Sequence, residues 1–180
     1  MDNPETHHLQ NTDALFDRPR IATEIAALAT KHGGREDALR VAIAQLLKVE
    51  LAKAREAIEV MLLRDRHGRR CAERLCFVQD AVIRLLYDVA TGHLYRSPVR
   101  SGAEHMAIIA TGGYGRGLMA PHSDIDLLFI LPYKQTAWGE QVVEAILYCL
   151  WDMGLTVGHA TRSVDESIRQ ARSDMTIRTA

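Results

Sequence analysis

The chain has 180 residues, a formal net charge of −1 and 25% charged side chains. That length suffices for one domain with a proper core, and a near-neutral balance without a basic run argues against a general nucleic-acid surface. No stretch approaches the ~20 consecutive apolar residues of a membrane span. The opening, MDNPETHHLQNTDALFD, lacks the basic and then apolar blocks of a signal peptide, so a cytoplasmic location is expected. Cys71, Cys76 and Cys149 show no Cys-x-x-Cys spacing, and an odd number fits a reducing compartment in which they act as small apolar residues.

Taken in order, residues 1–19 read as a flexible arm ending at Arg18-Pro19, where a helix begins. Ile21–His32 is alanine-rich and amphipathic and is stopped by Gly33-Gly34. From Glu36 to about Asp65 the apolar residues Leu39, Ile43, Leu46, Leu47, Leu51, Ala54, Ile58, Met61 and Leu62 recur at helical spacing. His67-Gly68 interrupts, and a second long helix is expected from about Arg70 to Tyr95, with Leu75, Val78, Val82, Leu85, Leu86 and Val89 on one stripe. Two long helices joined by a short loop pack as an antiparallel hairpin, so residues 20–97 form a helical region. The cations spread over it, Lys48 and Arg55 among them, are interspersed with glutamates and read as a solvated face.

Ser97–Glu104, broken by Pro98 and Gly102, is a linker into a second region over 98–180. Met106–Ala110 and Ile125–Leu131 read as neighbouring strands. Pro132-Tyr133-Lys134 is a loop, and Thr136 caps a helix running to about Met153, where Gly154 ends it. Leu155–Thr161 is expected as a third strand. Ser163, with Glu166 three positions on, opens a last helix containing Ile168 and Ala171.

The chemistry concentrates between the first two strands. Gly112-Gly113-Tyr114-Gly115-Arg116-Gly117 is a turn in which glycine lets the backbone approach a ligand and aim N–H groups at phosphate oxygens. A short helix starting near Tyr114 or Gly115 would add its positive end. Along the second strand side chains alternate, so Asp124 and Asp126 point one way while Ile125 packs behind. Two neighbouring carboxylates repel unless a divalent cation lies between them, and oxygen ligands completed by water and phosphate suit Mg²⁺. A phosphate cradle beside a two-carboxylate metal site describes nucleotidyl transfer, in which two metals clamp the attacking and leaving oxygens. Arg116 is a candidate to neutralise pyrophosphate through bidentate geometry, and Ser123 to donate to a phosphate. His122 is left without a role.

Gly-Gly, ten residues, then Asp-x-Asp resembles the polymerase-beta-type nucleotidyltransferase superfamily. The fuller string GGYGRG…PHSDIDLLF resembles the amino-terminal domain of the bacterial PII uridylyltransferases, and the likeness continues at Leu150–Arg162 and Ala171–Thr179. The resemblance implies an α/β (α+β) fold, with a helical hairpin followed by a polymerase-beta-like sheet. It implies transfer of UMP from UTP to a tyrosine of a PII-type signalling protein with Mg²⁺. Asp124 and Asp126 would be the metal ligands, and Gly112, Gly113, Gly115, Arg116 and Ser123 the nucleotide-binding residues. The superfamily's third carboxylate has no counterpart in Leu155–Thr161; Gly158-His159 stands there, as in the family. After Gly117 the family has Glu-Leu where this chain has Leu118-Met119. Because the family continues beyond Thr176, the sheet is expected to be incomplete at its carboxy terminus, with an exposed apolar patch near the last helix. A catalytically silent module binding a nucleotide or a protein is the alternative.

Overall fold

Side-chain caps from Asp17, Thr136 and Ser163 open three of the helices. The structure, a computed structural model, describes residues 14–96, 105–132, 136–175 and 177. The first thirteen positions of the expected arm, His7-His8 included, lie outside the described residues, as do the linker 97–104 and residues 133–135. By Phe16 the chain has joined the core, since that ring is buried. Asp17 accepts from the Arg20 amide at 3.0 Å and caps α1 (Arg18–Lys31).

Helix α2 (Glu36–Asp65) carries Glu36 and Asp37 in its first turn, where negative charge meets the positive helix end, and closes on Arg66 in the left-handed conformation. The Asp65 carboxylate then accepts from the His67 amide at 3.0 Å and from Arg74 at 2.9 Å, clamping the turn into α3 (Gly68–Val89). The expected hairpin forms: Leu39, Ile43, Leu47, Leu51, Ala54 and Ile58 of α2 and the predicted α3 stripe are buried. The second helix differs at its end. From Ala90 to Leu94 it widens into one π turn, closed by the Tyr95 amide on the Ala90 carbonyl at 2.8 Å. Gly92, a poor α-helix former, sits inside that turn. The Tyr95 carbonyl in turn accepts from the Trp138 indole at 2.8 Å, which ties this end to the later helix α5.

The sheet has three strands in the order β1 (Ala107–Ala110), β2 (Ile125–Leu131), β3 (Val157–Ser163). β1 is antiparallel to β2, with Ala110 opposite Leu127; β3 is parallel to β2, with Asp126 opposite Gly158. A parallel pair needs a crossover, supplied here by α5 (Ala137–Asp152), whose first turn is capped by the Thr136 hydroxyl accepting from the Gly139 amide at 3.1 Å. Alternation along β2 is complete: Ile125, Leu127, Phe129 and Leu131 are buried on the helix side, and Asp126, Leu128 and Ile130 face the other way. Burying Phe129 fully contributes roughly 1.5–3 kcal/mol by area. The architecture is the α+β arrangement expected, a helical layer under a small mixed sheet.

One expectation needs correction. β3 begins at Val157 rather than Leu155, because the Leu155 amide returns to the Leu150 carbonyl at 3.0 Å and closes α5 behind Gly154, at φ 81°. The last helix agrees with expectation: α6 (Val164–Ser173), capped by Ser163 accepting from the Glu166 amide at 3.2 Å, buries none of its residues. Val164, Ile168 and the following Met175 are exposed.

Arg40 and Asp152 form an ion pair joining α2 to α5, and the Arg40 guanidinium lies 5.3 Å over the Tyr148 ring. Behind them the Cys149 thiol is buried, and burial pushes its pKa up to about 12. Cys71 and Cys76 are also buried and free, with burial raising both. An aromatic disulfide reagent at pH 8 is therefore expected to titrate none of these thiols in the folded chain and all of them in denaturant; rapid reaction of Cys149 without denaturant would contradict this packing.

Candidate active site

Asp126 sits on the middle strand, on the face of the sheet turned away from the core helices α2, α3 and α5. What holds its carboxylate is the absence of side chains on both sides. A Cβ placed on Gly112 would lie 2.5 Å from Oδ2, and one placed on Gly158 would lie 2.5 Å from Oδ1. The carboxylate thus occupies a slot between the glycine turn and β3, and the register that puts Gly158 opposite Asp126 makes the slot.

The turn is built to meet that carboxylate. The Thr111 amide donates to the Asp126 carbonyl at 3.0 Å, and the chain then enters a single helical turn, α4 (Gly112–Gly115). Gly112 has φ 60°, a region that other residues reach only with strain, so both its conformation and its space require glycine. The Gly115 amide donates to the Thr111 carbonyl at 2.8 Å, Arg116 to Gly112 at 3.3 Å and Leu118 to Gly113 at 2.9 Å. The amides of Gly112, Gly113 and Tyr114 open the turn and make no backbone hydrogen bond among the described residues. Gly115 therefore serves differently from the two before it: its amide is used, and a Cβ there would strike the Ala110 carbonyl.

Tyr114 anchors the turn from beneath. Its ring is buried and its hydroxyl donates to Asp80 of α3 at 2.6 Å. Burial first, then the bond to Asp80, raises the phenol pKa well above its usual value. Met119 is buried beside Cys76, while Leu118, where the resembling family has an acidic residue, is 54% exposed.

Asp124 lies just before β2 and is exposed, two residues from Asp126 along the chain, and Ile125 between them is buried. Ser123 and Arg116 are exposed; the Ser123 amide donates to the Ala120 carbonyl at 3.1 Å in a turn that holds His122 at φ 66°. Among the described residues there is no group of three or more His, Cys, Asp or Glu side chains able to hold a metal. The donor set still fits Mg²⁺, which is commonly held by one or two carboxylates and completes its shell with water and phosphate oxygens. The slot also holds one carboxylate in place without consuming it in an ion pair.

Sequence reasoning overlooked Arg162. A depression of about 420 Å³ on the open face is lined by Asp126, Gly158, Thr111, Arg162 and Ser167 of α6. Gly158 and Arg162 are four apart on one strand and so share the face of Asp126. The two-residue period of β3 carries that signal once its register against β2 is known.

Asp126 on the middle strand, Asp124 just before it and the glycine turn beside them are an arrangement that fits a nucleotidyltransferase domain. Residues 100–173 match the family described as "Nucleotidyltransferase domain". More particularly, the chain is similar along its whole length to proteins named "Bifunctional uridylyltransferase/uridylyl-removing enzyme". Identity is 74% over all 180 residues, which is 19% of the relative, for the protein of Bradyrhizobium diazoefficiens. It is 72% over 168 residues (93% of this chain, 18% of the relative) for that of Rhodopseudomonas palustris. It is 69% over 179 residues (99% of this chain, 19% of the relative) for that of Nitrobacter hamburgensis. The chain thus spans about a fifth of the length of these relatives. No solved structure matches it.

Proposed function

We propose that this chain holds the metal and triphosphate half of a uridylyl-transfer site, which moves UMP from UTP to a tyrosine of a PII-type signalling protein in the cytoplasm. The observation that carries the reading is the Asp126 carboxylate lodged between Gly112 and Gly158, beside unused turn amides. Support for uridine and for the PII acceptor comes from the relatives' uridylyltransferase name and from the resemblance of the glycine turn.

Asp124 and Asp126 hold Mg²⁺, which when bound screens the triphosphate and stabilises charge building at the α-phosphate. The amides of Gly112 and Gly113 donate to phosphate oxygens, Arg116 offers a bidentate cation to the departing pyrophosphate, and Ser123 donates to a phosphate. Gly115 shapes the turn. Arg162, on the same face as Asp126, adds positive charge to the depression along which the nucleotide extends.

Calorimetric titration of UTP with Mg²⁺ tests this directly. Wild-type chain is expected to bind, and to bind at least tenfold more weakly without Mg²⁺. Asp126→Asn keeps the shape of the side chain and loses the Mg²⁺-dependent part. A folded wild-type chain that takes up no UTP would favour the second reading, a silent binding module. The observation on that side is the exposed Leu118 on the turn, an apolar group suited to contact with protein.

A further inference from the structure

Behind the glycine turn, on the side of the helices, lies a second concavity that nucleotide transfer does not use. It measures about 610 Å³, within the range of small-ligand sites. Its floor is apolar, from Leu51 and Ile58 of α2, Leu75 and Val78 of α3, and Met153 after α5. One wall is the segment Met119–His122, which leads directly into Asp124.

Two polar groups in this groove are out of keeping with an idle packing defect. Gln79 is 1% exposed, the sole polar residue among the buried side chains described, and its Nε2 has no hydrogen-bond partner. A buried donor left unpaired is costly, so such a group needs an explanation, and an acceptor on a bound molecule supplies one. Arg55 is half-buried along the same groove and forms no ion pair among the described residues; loss of hydration depresses its pKa. Lys48 adds a second cation at the rim near Gly154. Glu56 and Glu59 also line the groove but are exposed, so water and salt screen them more than they screen Arg55.

We propose that this groove binds an amphipathic carboxylic acid: the apolar body lies on the α2–α3 floor, the carboxylate meets Arg55, and a carbonyl accepts from Gln79 Nε2. A ligand seated there packs against Met119–His122 and so bears on the segment that presents Asp124. The claim concerns binding and stands apart from uridylyl transfer.

N-octanoylglycine, which carries all three features, is the probe. Titrated calorimetrically into the wild-type chain, it is expected to bind in the micromolar range. N-octanoylglycinamide, lacking the charge, is expected to bind at least tenfold more weakly, and Arg55→Met to weaken the acid by a similar factor without affecting the amide. Gln79→Met removes the unpaired donor, so it is expected to raise the melting temperature of the free chain while weakening the acid about fivefold. A merely structural glutamine would not separate those two readouts. The proposal is overturned if a folded wild-type chain shows neither heat nor a melting shift with millimolar acid. It is equally overturned if the acid and the amide bind alike, or if sedimentation shows the groove closed by a second copy of the chain.

Discussion

Under the uridylyl-transfer function proposed above, Gly158→Ala is expected to lower that transfer about a hundredfold while leaving the chain folded. Gly158 lies in the regular part of β3, opposite Asp126. Its backbone is not in the left-handed region, so alanine brings no conformational penalty of the kind it would meet at Gly112, where φ is 60°. What the new methyl meets is Asp126 Oδ1, at 2.5 Å. That contact is too short to persist, and the group free to move is the end of a short side chain. The structure therefore relaxes by swinging the carboxylate out of its slot, at small cost to stability. A displacement of about 1 Å at a reacting centre can cost about 10²-fold in rate, because the binding energy no longer holds the groups in line. The measurement is paired: a melting curve for the variant, and Mg²⁺-dependent UTP binding and transfer. Unchanged binding with unchanged melting would mean that the slot does not matter. Gly112→Ala is the harsher change, since it combines a 2.5 Å contact with Oδ2 and a strained backbone, and it should lower stability as well.

The sequence displayed this site only in part, for a physical reason. Helical period and breakers are local properties, so α2 falls on Glu36–Asp65 as read, bounded by Gly33-Gly34 and His67-Gly68. The alternation in Ile125–Leu131 is equally local and gives β2 its bounds. Asp126 and the glycines before it are legible because one strand and one turn contain them. The partner of Asp126 across the sheet is not, because the slot depends on a register between segments thirty-two residues apart. Gly158 in isolation reads as a weak point in a strand. Arg55 is a similar case. On a helical wheel it belongs to a charged face, and only the packing of α3 and of the Met119–His122 segment turns that face into a groove wall. Helix α3 continues into a helical end at Leu94 near the expected bound, but the hydrogen bonding widens into a π turn at Ala90, which apolar spacing does not report.

Tyr114→Ala is expected to be among the most destabilising single changes in the chain, at about 3–5 kcal/mol, the usual cost of removing a buried aromatic ring. For a chain of this length that corresponds to a melting temperature lower by about 10 °C. Tyr114 is the pin between the glycine turn and the hairpin, packed in the core with its hydroxyl on Asp80 at 2.6 Å. Tyr114→Phe separates ring from hydroxyl. Asp80 reaches solvent and can be rehydrated, so the phenylalanine variant should lose only about 1 kcal/mol at neutral pH. The hydroxyl also sets an alkaline limit. Burial and Asp80 hold the phenol protonated in the folded chain beyond its ordinary value of 10.0, whereas the unfolded chain gives up that proton near the ordinary value. Above about pH 10 the unfolded state binds fewer protons, so the stability due to Tyr114 is complete below that pH and declines as pH rises, by up to ~1.4 kcal/mol per unit. Tyr95, raised by burial, and the buried thiols decline in the same direction, so the informative quantity is the difference between wild type and Tyr114→Phe. That difference should favour wild type at pH 8, vanish near pH 11 and reverse beyond it in urea melts. A constant difference across this range would place the phenol in water and remove the pin.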